Sequence, residues 1–484
     1  IPTGGSYMWA ISRAKFDRRG RIKKPAPAYL FNGPQLGFSI PELFVEFEVH
    51  SPTQRVRGVS AAGVPIVGIG HNANIAWGFT SGLSDEDDLY AERLTGTESY
   101  RFKGKARQMD CRNETFQYRT PPTDLPGTIG QLLSGQTGPP VGSKTERICR
   151  TIHGPVQARA GDRAFARRYA IWGRELETIV GLSALDDAKS VRGVDSAMRK
   201  VTWNENVIAA DSRGNIGYWH PGLHPLRPRN YDERLPYPGT GEAEWRGLLN
   251  RKKTPHSINP PQGYLFNWNN MPSLGWTNGD NPARERASGR FHRSAWLARL
   301  VRAVKRKPSY ARHRQIDRLK GTIAQQRPLF SKRLKQARKH SHGRARAVLA
   351  ELVRWNGNYD DADGADRVAP GVAIWEEFKT QAEQVAFRAF RPGAGLLVDG
   401  ASASHQFDIT NGEAYGLRTL SLKGLALAAT RADALLTKRF GTATISAWRE
   451  PRRQYEITAM GAASAPSLPF FDRGTWEQSV AVGP

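Results

Sequence analysis

A serine stands directly after two glycines and directly before an apolar run near the start of the chain. Gly4 and Gly5 precede Ser6, and the run from Tyr7 to Ile11 predicts a β-strand that begins beside the serine. A serine hydroxyl attacks a carbonyl only when a base takes its proton. When serine is the first residue of a chain, its own α-amine, with a pKa of about 7.7–8, is such a base. The residues therefore allow activation by a break at the Gly5–Ser6 bond, although a serine after Gly-Gly is usually only a turn.

The sequence lacks the familiar motifs of other hydrolases and of cofactor binding. Neither the GxSxG nucleophile elbow nor the HExxH zinc motif occurs. Residues 138–145 resemble a phosphate-binding loop but have the wrong spacing and order. With two cysteines and no cofactor fingerprint, the sequence predicts no redox chemistry and no organic cofactor. Chemistry by hydroxyl, amide and carboxylate groups remains.

An acidic run is crowded enough to suggest a cation. Asp85, Asp87 and Asp88 lie within four residues. Clustered hard oxygen ligands suit Ca²⁺. The alternative is an ordinary acidic loop that arginines neutralise, and the residues alone leave both readings open.

Positive charge is concentrated in one segment of the chain. The net charge is +26, and the segment 299–346 contains 17 Lys and Arg with a single acidic residue, Asp317. Such a segment either binds an anionic polymer or forms the solvated face of helices. No nucleic-acid-binding motif accompanies it, so no specific nucleic-acid partner is predicted.

The hydrophobic pattern changes from strands to helices along the chain. Short apolar runs punctuated by Gly, Pro and Asn predict a strand pair at 64–69 and 75–80 and a hairpin over 208–218. From 290 to 355 apolar residues recur at helical spacing. No run of about 18 apolar residues occurs, so no transmembrane segment is predicted.

Both cysteines lie in strand-like stretches. Cys111 and Cys149 are either two unrelated buried thiols or the partners of one disulfide. A disulfide would fit an exported protein.

Eight short motifs, in the same order, resemble the penicillin acylase family of N-terminal-nucleophile hydrolases. The first, Ser6-Tyr-Met-Trp, is similar to the start of that family's mature large chain. The resemblance is dense from 5 to about 300 and looser from there to the end. The other motifs are Asn32-Gly-Pro-Gln35, 70–82, 85–93, His153-Gly-Pro, 211–218, 234–241 and 263–272.

The resemblance implies an α+β fold, the four-layer αββα sandwich of the N-terminal-nucleophile hydrolases, with an inserted basic helical region. Two antiparallel sheets lie between helical layers, and Ser6 opens a strand of the central sheet. The expected divisions are a spacer remnant at 1–5, the hydrolase core at 6–290, a mainly helical insertion at 291–390 and a truncated mixed region at 391–484.

The resemblance also implies catalytic roles. Ser6 attacks the amide carbonyl, and its freed α-amine is the base. The side chain of Asn269 and the backbone N–H of Ser81 donate to the oxyanion. Gln35 positions the amine or the substrate, and Arg293 orients Asn269 and the amine. The alternative for Arg293 is a surface arginine in a basic region.

The implied calcium ligands extend the acidic run. They are Asp85, Asp87, Asp88, the backbone carbonyl of Glu233 and the carboxylate of Asp280. In the family, a further ligand comes from the small chain.

The implied acyl pocket is lined by Leu36, Ile69 and Phe79. Family members that prefer phenylacetyl groups have a small residue where this chain has Phe79. The bulky ring favours a reshaped pocket, so aliphatic acyl chains, as in N-acyl-homoserine lactones, are expected beside β-lactam side chains.

The implied function is hydrolysis of a linear amide in a small N-acyl compound, through an acyl-enzyme on Ser6 after self-cleavage. The expected partner is the small (α) chain of the same precursor, and the expected location is periplasmic or secreted. Position 7 is Tyr where the family usually has Asn, and Gly5 still precedes Ser6. Tyr7 and an expected truncation at both ends motivate the alternative, a catalytically impaired homologue that binds anionic polymers through 299–346.

Overall fold

A computed structural model describes most of the chain. The described residues are 5–36, 38–118, 142–276, 295–322, 326–359, 367–387, 417–452, 454–459, 467–469 and 474–483. The strands, in chain order, are β1 (Gly5–Ser12), β2 (Lys15–Phe16), β3 (Ile22–Lys24), β4 (Ala28–Gln35), β5 (Ser39–Ile40), β6 (Phe44–His50), β7 (Arg55–Ala61), β8 (Ile69–Asn72), β9 (Ile75–Ser81), β10 (Asp87–Gly96), β11 (Ser99–Phe102), β12 (Lys105–Gln108), β13 (Asp110–Tyr118), β14 (Gly142–Thr151), β15 (Gly154–Ala160), β16 (Arg163–Tyr169), β17 (Glu205–Asp211), β18 (Ile216–Trp219), β19 (Tyr237–Pro238), β20 (His256–Ile258), β21 (Tyr264–Asn267), β22 (Gln454–Glu456), β23 (Thr458–Ala459), β24 (Ser467–Pro469) and β25 (Gln478–Val482). The α-helices are α1 (Glu175–Asp186), α2 (Val191–Met198), α3 (Ala295–Arg306), α4 (Tyr310–Thr322), α5 (Gln326–Lys339), α6 (Gly343–Arg354), α7 (Pro370–Phe387) and α8 (Leu422–Phe440).

Two antiparallel sheets pack face to face. The short sheet has the order β21-β1-β4-β25, and the long sheet has the order β20-β18-β17-β9-β8-β7-β6. Small and branched side chains fill the space between them, because the strands of both sheets alternate apolar residues toward that space. This inner core contains Met8, Ala10, Ala28, Leu30, Ala76, Ile208, Ala210, Ile216 and Val482.

Helices cover the outer faces of both sheets. Apolar residues of α3 and α4, such as Leu300 and Ile316, pack against Trp9 on the outer face of the short sheet. Residues of α1 and α2, such as Leu185 and Val194, pack against the outer face of the long sheet. The layers therefore follow the order helix, sheet, sheet, helix, and the predicted αββα sandwich is confirmed.

Successive side chains of β1 point to opposite faces of the short sheet. Tyr7, Trp9 and Ile11 lie in the cluster beneath α3, whereas Met8 and Ala10 lie between the sheets. Trp9 stacks on the ring of Phe31 with centroids 4.0 Å apart. By the same alternation, the side chain of Ser6 lies on the face of β1 that is turned toward the long sheet.

The strand predictions were correct at three places and shifted at one. The predicted first strand lies within β1, and the hairpin over 208–218 is β17 and β18. The second strand of the predicted pair is β9, but the first begins only at Ile69. The backbone N–H groups of Val64 and Ile66 donate to Ala61 and Val64, so this Pro65-containing segment is a turn.

A third sheet lies outside the sandwich, and no motif predicted it. Its order is β12-β11-β10-β16-β15-β14-β13, and β19 pairs with β10. Cys111 and Cys149 are register partners on β13 and β14 and form a disulfide. The structure thus selects the disulfide over two separate thiols.

A second helical core follows the sandwich. Helices α5 to α8 pack around Trp355, Trp375 and Trp448. Helices α3 and α4 instead belong to the outer layer of the sandwich. Among the described residues, no helix combines the length and apolar character needed to cross a membrane. The domain boundaries proposed from the sequence stay predictions.

A buried histidine between two carboxylates lies in the turn that joins β14 and β15 of the third sheet. His153 has its ring nitrogens 2.7 Å from Glu92 Oε1 and 2.7 Å from Glu244 Oε1. Its ring stacks on Tyr90 at 3.8 Å. Burial lowers the pKa of His153, but hydrogen bonds to Glu244 and Glu92 more than offset this effect, so the pKa lies above its usual 6.5. His153 is thereby favoured as an imidazolium that donates to both carboxylates.

This arrangement predicts a stability contribution that alkaline pH removes. Since the pKa of His153 is higher in the folded than in the unfolded chain, its contribution is complete below pH 6.5 and is lost as pH rises through the folded value. We expect His153→Gln to destabilise the protein by roughly 3–5 kcal/mol below pH 6.5. Above the folded pKa the difference from the unsubstituted protein should shrink, as measured by thermal unfolding across pH.

His50→Gln is the matched control. His50 pairs with Glu48 at 2.7 Å, but both side chains are at least half exposed. Its substitution should leave unfolding within about 0.5 kcal/mol of the parent. A His153→Gln difference that does not change with pH would contradict the charged state assigned to His153.

Candidate active site

Ser6 lies where the short sheet meets the long sheet. It is 5% exposed, follows Gly5 in β1, and has Pro34 of β4 as its register partner. Its backbone N–H donates to Asn269 Oδ1 at 2.7 Å. The backbone N–H of Gln35 lies 3.5 Å from Ser6 Oγ. The hydroxyl therefore lies between the end of β4 and the turn that carries Asn269.

Asn269 is held in an unusual backbone conformation. It follows β21, and its φ of +67° lies in the left-handed region, which asparagine tolerates better than most residues. Its backbone N–H donates to Asn267 Oδ1 at 2.8 Å, and Asn267 Oδ1 also accepts from Thr80 Oγ1 at 2.6 Å. These bonds fix the turn, so the Asn269 side chain has a defined direction.

The Asn269 amide bridges the two sheets. While Oδ1 accepts from Ser6, Nδ2 donates to the backbone carbonyl of Ser81 at 3.1 Å. Ser81 is the last residue of β9 in the long sheet and is exposed. The structure thus brings Ser6, Gln35, Ser81 and Asn269 together, although they are up to 263 residues apart in sequence.

Asn32 is a structural member of the site that received no role from the sequence. It is fully buried, and its Nδ2 donates to the carbonyl of Phe79 at 2.9 Å and lies 3.3 Å from that of Tyr7. It therefore joins β9 to β1 one residue beyond Ser6. The quoted motif Asn32-Gly-Pro-Gln35 was the available signal, but the pairing with Phe79 depends on the contact between the sheets.

Tyr7, which departs from the family pattern, points away from the nucleophile. Its ring is fully buried with Trp9 and Ile11 in the cluster beneath α3. Ser6 belongs to the opposite face of the strand. The substitution at position 7 therefore changes packing under the helical layer more directly than the surroundings of Ser6 Oγ.

The three predicted pocket residues do not share one face. Leu36 follows β4 and is 58% exposed. Phe79 packs against the core between the long sheet and its helices. Gly70 pairs with Trp77, so strand alternation places Ile69 on the face opposite to Phe79. The acyl pocket stays a prediction.

The acidic run is neutralised by arginines. Arg227 contacts Asp85 Oδ2 at 2.8 Å and Asp88 Oδ2 at 3.0 Å, and it also donates to the carbonyl of Asp85. Arg167 donates to Asp87 at 2.5 Å. The alternative given for this run, an arginine-neutralised loop, matches this arrangement.

The structure describes part of the predicted calcium ligand set, the acidic run and Glu233. Across the described ranges, the one set of three metal-ligating side chains close enough for a single ion is Glu98 with Cys111 and Cys149, whose sulfurs are in a disulfide. Glu233 lies in the described part of the chain, but Asp280 lies outside it, as does Arg293. Calcium binding therefore stays a prediction.

Some cations of the basic segment 299–346 donate hydrogen bonds to backbone carbonyls elsewhere in the fold. Arg327 donates to the carbonyls of Leu352 and Val353 at the end of α6. Arg333 donates to the carbonyl of Leu417, and Lys305 to that of Ser12 at 2.6 Å. These cations satisfy backbone acceptors at the ends of elements. These three cations are therefore occupied within the fold.

Comparisons with known proteins give a consistent result. A family model described as penicillin amidase matches residues 3–479. The chain is 30% identical to penicillin G acylase of Escherichia coli over 379 residues, which are 76% of this chain and 41% of that protein. It is 28% identical to the acyl-homoserine lactone acylase QuiP of Pseudomonas fluorescens over 277 residues, 55% of this chain and 30% of that protein. The chain thus spans less than half the length of these curated relatives.

A solved structure shares the fold. The thermostable penicillin G acylase from Alcaligenes faecalis in orthorhombic form matches with a TM-score of 0.74 at 22% identity. The match covers 99% of this chain and 88% of that chain. The solved structure therefore shares the architecture of nearly the whole chain, including the sandwich and the third sheet.

The contact between Asn32 and Gly78 predicts a sensitive glycine. A Cβ at Gly78 would lie 2.5 Å from the Asn32 side chain. We expect Gly78→Ala to push the sheets apart beside Ser6 and to lower stability by about 1–3 kcal/mol. Thermal unfolding measures this loss.

Gly68→Ala provides the comparison on neighbouring backbone. A Cβ at Gly68 would meet its nearest atom at 3.4 Å, which is an ordinary contact. This variant should melt near the parent temperature. Equal melting of the two variants would mean that the space between Asn32 and Gly78 is not limiting.

Proposed function

The chain belongs to the penicillin amidase family, and from that membership we propose that it hydrolyses a linear amide bond in a small N-acyl compound. The observation that carries the proposal is the Asn269 side chain, which contacts both the Ser6 nitrogen and the Ser81 carbonyl. A nucleophile, its own nitrogen and an amide donor thereby lie within one hydrogen-bonded group. That is the arrangement required by a serine that uses its α-amine as base.

The proposed activation is cleavage before Ser6. In the structure the Ser6 nitrogen is a peptide N–H that donates to Asn269. Hydrolysis of the Gly5–Ser6 bond would convert this nitrogen into an α-amine while β1 keeps its pairing with β4. The amine could then accept the proton of Ser6 Oγ, directly or through a water molecule.

The proposed reaction has two chemical stages. Ser6 Oγ bonds to the substrate carbonyl carbon, and its proton passes through the α-amine to the departing amine as the C–N bond breaks. Water then attacks the resulting ester and releases the carboxylic acid and Ser6. Asn269 Nδ2 and the Ser81 N–H would donate to the oxyanion, and loss of one such donor typically costs about 10²–10³ in rate.

The proposed substrates are N-acyl compounds with a variable acyl chain. The relatives are named as acylases of penicillin G and of acyl-homoserine lactones. Both names describe removal of an acyl group from an amine. Leu36, Ile69 and Phe79 remain the proposed pocket residues.

The proposed partner is the small chain of the same precursor. The matched region is 41% of the penicillin G acylase from Escherichia coli, so most of that protein lies elsewhere in its sequence. Calcium, bound through the acidic run with Asp280, and an exported location remain parts of the proposal. The disulfide between Cys111 and Cys149 supports export.

Ser6→Ala tests the nucleophile. When the full precursor is expressed, we expect a break before residue 6 in the parent, detected by intact mass spectrometry, because only Ser6 supplies the hydroxyl. The variant should show neither cleavage nor turnover of a panel of acyl amides of increasing chain length. Amidase activity that survives in Ser6→Ala would refute the proposal.

Ser12→Ala is the matched control. Ser12 is fully buried on β1, on the same side as Ser6, and its hydroxyl donates to the carbonyl of Gly214 at 2.6 Å. We expect this variant to be cleaved before Ser6 and to keep the substrate order of the parent.

A further inference from the structure

The carbonyl of Ser81 is held by a second buried amide. Asn206 on β17 is fully buried and donates from Nδ2 to the Ser81 carbonyl at 3.1 Å. This is the carbonyl that also accepts from Asn269 at 3.1 Å. One donor comes from the long sheet and the other from the turn after the short sheet. Ser81 is therefore clamped from both sheets at the end of β9.

The orientation of the Asn206 amide is itself determined by its neighbours. Its Oδ1 accepts from the hydroxyl of Tyr218 at 2.6 Å and lies 2.9 Å from His220 Nδ1. An amide oxygen can only accept, so His220 must have its proton on Nδ1. A flipped amide would set its oxygen against the Ser81 carbonyl, which can only accept. The network therefore keeps the N–H groups of Asn206 turned toward Ser81.

The series of hydrogen bonds continues from the other ring nitrogen of His220. Its Nε2, the acceptor of this tautomer, lies 2.7 Å from Ser84 Oγ, which then donates to it. Ser84 Oγ in turn accepts from Trp276 Nε1 at 2.8 Å. His220 is fully buried, and burial lowers its pKa well below the usual value, which favours the neutral ring. Each hydrogen bond in this series thus has one assigned donor and one assigned acceptor.

A second route links Asn206 to the turn of Asn269. Asn206 Nδ2 lies 3.4 Å from Thr80 Oγ1, which donates to Asn267 Oδ1. That oxygen also accepts from the backbone of Asn269. The two routes form a ring around the end of β9, so a change at Asn206 reaches both groups assigned to the oxyanion.

We propose that Asn206, oriented by His220 and Tyr218, is a positioning residue that holds Ser81 and Asn269 in the geometry needed for oxyanion stabilisation. The inference rests on the proposed function. Asn206 acts through Ser81 and Asn269 and does not itself touch the reacting atoms. Its contribution belongs to the transition state, where the oxyanion forms, rather than to substrate binding.

Asn206→Asp is the direct test. Aspartate has nearly the same shape and keeps an acceptor for Tyr218 and His220, but it replaces the N–H donor with an oxygen that faces the Ser81 carbonyl. In the processed enzyme, with concentration corrected for the cleaved fraction by mass spectrometry, kcat should fall about 10- to 100-fold. KM should change less than threefold. An unchanged kcat, or a rise in KM alone, would overturn the proposal.

A pair of histidine variants keeps the test decisive if Asn206→Asp does not accumulate. His220→Asn retains an N–H donor near the Nδ1 position, whereas His220→Leu removes it. We expect His220→Asn to keep at least severalfold more kcat than His220→Leu at similar melting temperatures. Equal kcat values would contradict the orienting role of His220.

His224→Asn separates positioning from packing. His224 is also buried and stacks on His220 at 5.3 Å. Its replacement should lower the melting temperature but leave kcat within about twofold. If Ser6→Ala abolishes turnover while all Asn206 and His220 variants match the parent, the positioning proposal fails and the proposed function stands. If Ser6→Ala is active, the proposed function fails independently.

Discussion

The Asn269 amide is the interaction on which the site depends, because it joins both sheets at the second residue of β1, Ser6. Its oxygen accepts from Ser6 and its nitrogen donates to Ser81. Asn269 contacts both sheets from a left-handed backbone conformation, which a hydrogen bond to the Asn267 side chain stabilises. Without the bridge, the buried peptide N–H of Ser6 would lose a partner at a cost of about 1–3 kcal/mol, whereas the Ser81 carbonyl would keep its bond from Asn206. Both sheets are therefore fixed relative to each other where chemistry is proposed.

The space between the sheets is apolar toward the far end of β1 and polar toward Ser6. Toward the far end of β1, small side chains such as Ala10, Ala76 and Ala210 allow close packing of the two sheets. Toward Ser6, buried asparagines replace them. Asn32 and Asn206 reach across strands to carbonyl groups. A hydrogen-bond network in which each donor faces an acceptor specifies one arrangement, because a rotated amide would place its oxygen against another acceptor. The end of the sandwich is thus rigid although it is polar.

The sequence predicted the elements whose patterns are local. The strand at Ser6, the hairpin over 208–218 and the helical period after 290 are all present. The fold itself came from the resemblance of ordered motifs. The third sheet was not predicted as a unit. The stretches around Cys111 and Cys149 are strand-like in sequence and lie in β13 and β14, but β12 exposes all of its residues and therefore lacks the alternation that identifies a half-buried strand.

Contacts between distant residues escaped prediction for a physical reason. The acidic run suggested calcium from its own composition, but Arg227, which neutralises Asp85 and Asp88, is about 140 residues away in sequence. Asn206 lies on β17, and its position beside Ser81 is set by the register of β17 with β9; His220 directly follows β18, the strand paired with β17. Only packing reveals such pairs. Arg293 and Asp280 lie outside the described residues and stay predictions.

The group beside the Ser6 nitrogen is the neutral amide oxygen of Asn269, and its lack of charge affects the proposed chemistry. Ser6 is 5% exposed, and burial disfavours a charged amine, so a freed α-amine there would have a lowered pKa. A carboxylate in the place of Asn269 would oppose this effect by stabilising the ammonium form. A neutral amide oxygen instead holds the nitrogen without adding a negative charge. Burial therefore favours an unprotonated amine, and the neutral acceptor opposes this effect less than a carboxylate would; the unprotonated amine is the state that can take the proton of Ser6 Oγ.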